Sequence, residues 1–283
     1  MAKSLPVVLS IAGFDPSSGA GVTADIKAIS AHGCYGVGCV TALTVQSTSE
    51  VRRVEPIDPK LVRETLTCLT DDFEIAAVRV GMLGSGAVAD AVADFLHDLS
   101  SSKVVLDPVI VSSSGAKLVD DAGISVVLRR LLPMAAVITP NIHEASALTG
   151  IEVVSADQMQ DAASKLHELG AKAVVVTGGH LDKAIDLLSF QDRSGIQRET
   201  FKSEKLRSNS THGTGCAFAS AIACHLAHGR GLPEAVLLAK AYIVAAIANG
   251  VPVGKGIGPV NHLYRMNEQR RAATADVGEP VAH

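Results

Sequence analysis

The sequence predicts an α/β fold: a doubly wound, mostly parallel sheet with helices on both faces. Three observations predict it. Short apolar runs of strand length alternate regularly with helical patterns of about 10–15 residues. The 283 residues are 47% hydrophobic but only 3% aromatic, with no Trp. A core of Ala, Val, Leu and Ile suits a buried parallel sheet. The polar and glycine-rich stretches Gly13-Phe14-Asp15, Asp107-Pro108, Thr139-Pro140-Asn141 and Thr177-Gly178-Gly179 fall at strand ends, where open α/β sheets bind ligands.

Each element has its own signal. Residues 5–11 are an apolar run ending at Gly13, a buried first strand. Residues 22–31 read as helix, and 36–46, rich in Val and Thr, as strand. In 60–70, Val62, Leu66 and Leu69 share one helical face. Residues 76–80 are strand-like. Val88, Ala91, Val92, Phe95, Leu96 and Leu99 carry helix periodicity. Strands are expected at 104–106, 136–138 and 173–176, with helices at 124–131 and 157–169, the latter closed by Gly170. Residues 184–190 are expected to return as an antiparallel edge strand. With no linker or repeat, one domain spans 1–266. The polar, alanine-rich tail 267–283 is expected to fray.

Composition excludes several classes. The net charge is −4 and no basic patch is visible, which argues against a nucleic-acid partner. Five cysteines, an odd number without Cys-x-x-Cys spacing, point to reduced thiols in a cytoplasmic protein and away from structural zinc. The first apolar run is too short to span a bilayer and lacks a cleavage-type sequence, so no membrane association is expected.

The segment Thr211-His212-Gly213-Thr214-Gly215-Cys216 feeds the alanine-rich run 217–223. A glycine turn at a helix N-terminus is an anion site, because the first amides lack intrahelical acceptors and the dipole favours negative charge. The same field is expected to lower the Cys216 thiol pKa. The plain alternative is a small buried core cysteine. Gly13 to Gly21 forms a loop between the first strand and helix; it matches neither the P-loop nor Gly-x-Gly-x-x-Gly. Asn141 and Glu144 lie three residues apart. They can hold magnesium through its waters, or form a helix capping box, the reading that spacing alone favours. Lys240 sits on an otherwise apolar helix, where a lone lysine ordinarily snorkels to solvent. His180 and His212 read as polar liners.

Taken together these segments resemble the hydroxymethylpyrimidine/phosphomethylpyrimidine kinases of thiamine biosynthesis, in the ribokinase-like superfamily. The resemblance runs from about residue 5 to about residue 263. It is carried by residues 11–21, Thr41-Ala42-Leu43-Thr44-Val45-Gln46, Gly81-Met82-Leu83, Val105-Leu106-Asp107-Pro108-Val109, residues 138–145, Gly178-Gly179-His180, His212 to Cys216, and Gly256-Ile257-Gly258-Pro259-Val260. It implies ATP-dependent phosphorylation of 4-amino-5-hydroxymethyl-2-methylpyrimidine and then of its monophosphate, with Mg2+. It implies that Gln46 bonds the aminopyrimidine and that Gly13, Asp15, Ala20, Asp25, Met82 and Val109 surround the substrate. It places Asn141, Thr177 and Lys240 at the nucleotide and phosphates, and Asp107 and Glu144 near the metal. It implies that Gly213, Thr214 and Gly215 form the anion hole, with Cys216 at the base position. Many superfamily members carry Asp there, and many members of this family carry Lys where Thr177 stands. Superfamily relatives are often homodimers.

Three other readings compete. Pyridoxal/pyridoxine kinase also acts on a small ring with a hydroxymethyl arm. A Cys216 hydrolase or acyl transferase needs a base beside the thiol, and His212 lies four residues away in a turn. A non-catalytic binding protein on this fold is opposed by the intact Asn141, Glu144 and glycine turn.

Overall fold

The computed structural model describes residues 5–99, 103–112, 115–179, 184–203, 206 and 208–266. Among these, nine strands form one sheet in the order β3-β2-β1-β4-β5-β6-β7-β8-β9. They are β1 (Val7–Phe14), β2 (Tyr35–Gln46), β3 (Val51–Pro56), β4 (Ile75–Val80), β5 (Val104–Leu106), β6 (Val137–Ile138), β7 (Ala173–Gly178), β8 (Ala184–Asp192) and β9 (Gly195–Ser203). β2, β1, β4, β5, β6 and β7 run parallel; β3, β8 and β9 pair antiparallel to their neighbours. The fold class is therefore as expected. His180 and the tail 267–283 lie outside the described residues.

The buried strands alternate their side chains between two cores. Val8, Ala77, Val105, Val137 and Val175 face one side, against α1 (Gly21–Ala31), α8 (Thr214–Ala227) and α9 (Leu232–Ala248). Leu9, Val78, Leu106, Ile138 and Val176 face the other. There they meet α2 (Pro59–Asp72), α3 (Gly86–Leu99), α4 (Asp121–Val126), α5 (Leu132–Met134), α6 (Ile142–Thr149) and α7 (Ala156–Glu168). Both faces of the parallel strands are covered, which is why those strands read as unbroken apolar runs.

Three expectations shift. The helix expected at 124–131 starts earlier, at Asp121, where the Asp120 carboxylate accepts from the Gly123 and Gly86 amides. A π-helical turn over Val127–Leu131 then joins α4 to α5. β8 is antiparallel but not an edge, because β9 pairs along its whole length. β3 and β9 occupy the edges, and both carry charged, exposed side chains, a common protection of a free edge.

One charge lies inside this frame. Arg79, on β4, has a fully buried side chain. Its Nη1 donates to Asp25 of α1 at 2.9 Å and its Nη2 to Asp107, just past β5, at 2.5 Å. Asp25 also accepts from Ser10 of β1 (2.6 Å) and Ser220 of α8 (2.8 Å). Gly81 makes room for the guanidinium: a Cβ there would lie 1.9 Å from Nη1. Replacing Arg79 by Met strands two buried carboxyls. The expected loss is about 3–5 kcal/mol of unfolding free energy, measured by urea denaturation, with Arg79→Lys recovering part of it.

Candidate active site

Chain order places β2 on one side of β1 and β4 on the other, so the β1/β4 boundary is the point where the winding reverses. Ligand crevices open at such points, beyond the strand C-termini. Gly13 and Gly81-Met82 end the two strands there, and the Gly81 amide donates to the Ile11 carbonyl at 2.8 Å. Met82 crosses over Gly13: a Cβ on Gly13 would meet Met82 Sδ at 2.8 Å. Ala42, Met82 and Leu118 form a small apolar cluster with Val109 against it. Gln46 ends β2, half-buried.

The glycine turn that would form the anion cradle packs on the loop after β1. Gly213 caps α8 with a left-handed φ of 78°, a conformation that costs a side-chain-bearing residue dearly. A Cβ there would also lie 1.8 Å from the Gly19 carbonyl oxygen. Gly213 therefore seats the cradle directly on the loop after β1. Thr214 Oγ1 closes the turn on the Thr211 carbonyl at 2.6 Å. Gly215 and Cys216 occupy the first turn, where amides lack intrahelical acceptors. Gly215 is open; the nearest atom to a Cβ there is Asp107 Oδ1, 4.0 Å away. Asp107 thus gives Oδ2 to Arg79 and turns Oδ1 toward the cradle.

The structure corrects three expectations about these residues and shows the capping box that spacing favoured. The helix field does not lower the Cys216 thiol. Burial pushes it up to about 12; Arg79 opposes this, while the Asp107 and Asp25 charges add to it. Asp25 cannot touch a substrate: it is fully buried and its oxygens serve Ser10, Ser220 and Arg79. Asp15 is likewise consumed, accepting from the Ser17 amide and hydroxyl, the Ala20 amide and His212; it shapes the loop that presents Ala20. Glu144 closes a capping box, accepting from the Asn141 amide at 2.9 Å while the Asn141 side chain accepts from the His143 and Glu144 amides. Burial and the Asp107 charge push the Glu144 carboxyl up to about 8. Among the described residues, no cluster of three or more His, Cys, Asp or Glu is arranged to hold a metal ion.

The nucleotide candidates lie one strand pair further along. The Thr177 amide donates to the Pro140 carbonyl at 2.9 Å, and Asn141 and Thr177 are bridged in parallel. Lys240 does not snorkel. Its Nζ reaches Asp186 at 2.6 Å with the side chain 13% exposed, and Asp186 accepts the Gly178 amide at 3.1 Å. Lys240 thus fixes the end of β7 through Asp186. Sequence reasoning missed Arg79 and Asp186; in hindsight each is a lone charge inside an apolar strand, and that is a signal.

The model of the phosphomethylpyrimidine kinase family matches residues 15–261. The chain belongs to this family. The thiamine biosynthesis bifunctional protein ThiED of Geobacter sulfurreducens is 42% identical over 93% of the chain, which spans about half (53%) of that longer protein. The hydroxymethylpyrimidine/phosphomethylpyrimidine kinase of Haemophilus influenzae is 41% identical over 90% of this chain and 96% of its own. Among solved structures, Bacillus subtilis pyridoxal kinase in complex with ADP superposes with a TM-score of 0.84 at 34% identity, covering 93% of this chain and all of that one. A phosphomethylpyrimidine kinase from Clostridium difficile 630 gives 0.76 at 36% identity, covering 86% and 99%. Among the described residues, no helix of this family member is long and apolar enough to cross a membrane.

Two outcomes follow from the site geometry. Gly215→Val has room to fold but fills the cradle, so kcat is expected to fall about 10²–10³-fold with an unchanged melting temperature. Alkylation of Cys216 by iodoacetamide is expected to rise about tenfold per pH unit from pH 8 to 10 without levelling, whereas a free cysteine levels near its reference pKa of about 8.5. A plateau below pH 9 contradicts the raised thiol.

Proposed function

We propose that the chain transfers the γ-phosphoryl group of ATP to 4-amino-5-hydroxymethyl-2-methylpyrimidine, and then phosphorylates the monophosphate to the diphosphate, in thiamine biosynthesis. One observation carries this reading beyond family membership. Gln46, which would read the ring, lies 3.4 Å from His212, the residue that precedes the Gly213 cradle. Ring recognition and phosphoryl stabilisation are thereby set side by side. Gly13, Ala20, Met82 and Val109 would enclose the ring. The cradle amides would receive charge developing on the migrating group, and positioning would supply most of the remaining rate. Cys216 would act as a neutral thiol that orients the acceptor hydroxyl.

Mg2+ would take Asp107 Oδ1 together with phosphate oxygens and water, since it commonly binds through one or two carboxylates. It would supply charge neutralisation. Glu144 and Asn141 would support it indirectly by fixing the start of α6. Thr177 would line the phosphate site, and Lys240 would act through Asp186. Action in the cytoplasm, as a homodimer, belongs to the same reading.

Pyridoxal kinase activity is the second reading, favoured by the superposition on the Bacillus subtilis enzyme. A coupled ADP-release assay decides between them. A higher kcat/KM for the pyrimidine is expected; a higher value for pyridoxal reverses the assignment. Thr177→Lys is expected to raise turnover of the monophosphate relative to the alcohol. Unchanged relative rates would remove a role for this position.

A further inference from the structure

His212 is buried where the two substrate loops meet. Its backbone is stitched to the last loop, with its amide donating to the Gly258 carbonyl at 2.9 Å and its carbonyl accepting from Val260 at 3.2 Å. The Cδ2 edge of its ring abuts Gly19, where a Cβ would come within 2.2 Å of Cδ2. Its Nε2 lies 2.8 Å from Asp15 Oδ2 and 3.4 Å from the Gln46 amide.

These contacts fix the hydrogens. Burial alone would raise the Asp15 pKa, but the bonds from His212 and Ser17 outweigh it and hold the carboxyl below the ordinary range. An ionised carboxylate only accepts, so His212 Nε2 carries the hydrogen. Gln46 Nε2 against that ring nitrogen would set donor against donor. Turned over, the amide offers Oε1, and the ring N–H is shared between Asp15 and Gln46, a three-centre bond. The far end of the amide agrees. Thr44 Oγ1 has one hydrogen, and the Phe14 carbonyl accepts it at 3.0 Å. Its lone pairs then accept from Gln46 across the 3.2 Å contact, which requires the amide nitrogen there.

We propose that His212 is a positioning residue for acceptor specificity, donating its Nε2–H to Asp15 and Gln46 so that the Gln46 amide is held in one orientation between His212 and Thr44. One amide N–H and one oxygen lone pair then remain uncommitted. A donor beside an acceptor complements an amino group next to a ring nitrogen, the edge of an aminopyrimidine. A pyridine alcohol with a phenolic oxygen presents a different edge. An unanchored amide can turn to suit either. This inference rests on the pyrimidine reading above.

The test uses His212→Leu, which removes the donor, and His212→Gln, whose amide nitrogen lies as many bonds from Cα as the ring Nε2. Thr44→Val loosens the other end of the amide without touching the cradle. For each, kcat and KM are measured for the hydroxymethylpyrimidine, pyridoxal and ATP. In His212→Leu, the pyrimidine-to-pyridoxal ratio of kcat/KM is expected to fall roughly tenfold, through the pyrimidine KM, with the ATP KM unchanged. His212→Gln restores most of the ratio, and Thr44→Val lowers it in the same direction. A merely structural role lowers both substrates together and leaves the ratio intact. An unchanged ratio in either His212→Leu or Thr44→Val, with the wild type active on the pyrimidine, overturns the proposal alone. Should His212→Leu not fold, Thr44→Val and His212→Gln carry the test. A wild-type protein that ignores the pyrimidine overturns the functional reading and this inference with it.

Discussion

The buried guanidinium of Arg79 is the constraint on which the site depends. A lone buried cation is costly, by several kcal/mol even after relaxation. Arg79 is made tolerable by Asp25 and Asp107, and Asp25 in turn by Ser10 and Ser220. The residues come from β1, α1, β4, the end of β5 and α8. One network therefore ties together every element that carries the cradle or borders the switch point. It also sets the local charge. Burial above all, with the Asp107 and Asp25 carboxyls adding to it and Arg79 opposing it, pushes the Cys216 thiol up at the first turn of α8.

This changes the division of labour expected of the helix start. A thiolate beside an incoming phosphate would repel it. A neutral thiol does not, so under the proposed function the amides of the glycine turn would meet a phosphate without a competing charge of their own. Phosphoryl transfer makes little demand on an early base; what it needs is geometry and charge neutralisation. Asp107, divided between Arg79 and the open side of Gly215, connects the charge below the cradle with the space above it.

How much was legible in the sequence follows from burial. β1, β4, β5, β6 and β7 were placed within two residues or so at most ends, because strands buried on both faces are unbroken apolar runs. β3 and β9 escaped because Val51-Arg52-Arg53-Val54-Glu55 and the run from Gly195 to Ser203 expose charged side chains at the sheet edges. The π-turn after α4 leaves no periodic trace. Gly213 to Cys216, Gln46 and Met82 were found as motifs; Gln46 reaches His212 beside the glycine turn and Met82 packs over Gly13. Two carboxylates were misjudged, and for one reason. Sequence shows that Asp15 and Asp25 are acids, but not that their lone pairs are already spent on neighbours up to about two hundred residues away, whereas the local Asn141–Glu144 capping box was legible from spacing. Arg79 was invisible as a partner because its two carboxylates lie in other elements.

The seating of Gly213 on the Gly19 carbonyl has an evolutionary corollary. The loop 13–21 and the turn 211–216 interlock like the halves of a mould, so neither can drift in backbone shape without the other. Grafting one alone from a cousin of different appetite would leave a collision or a gap. Exchange of taste between such enzymes is expected to proceed by paired inheritance of residues 13–21 and 211–216.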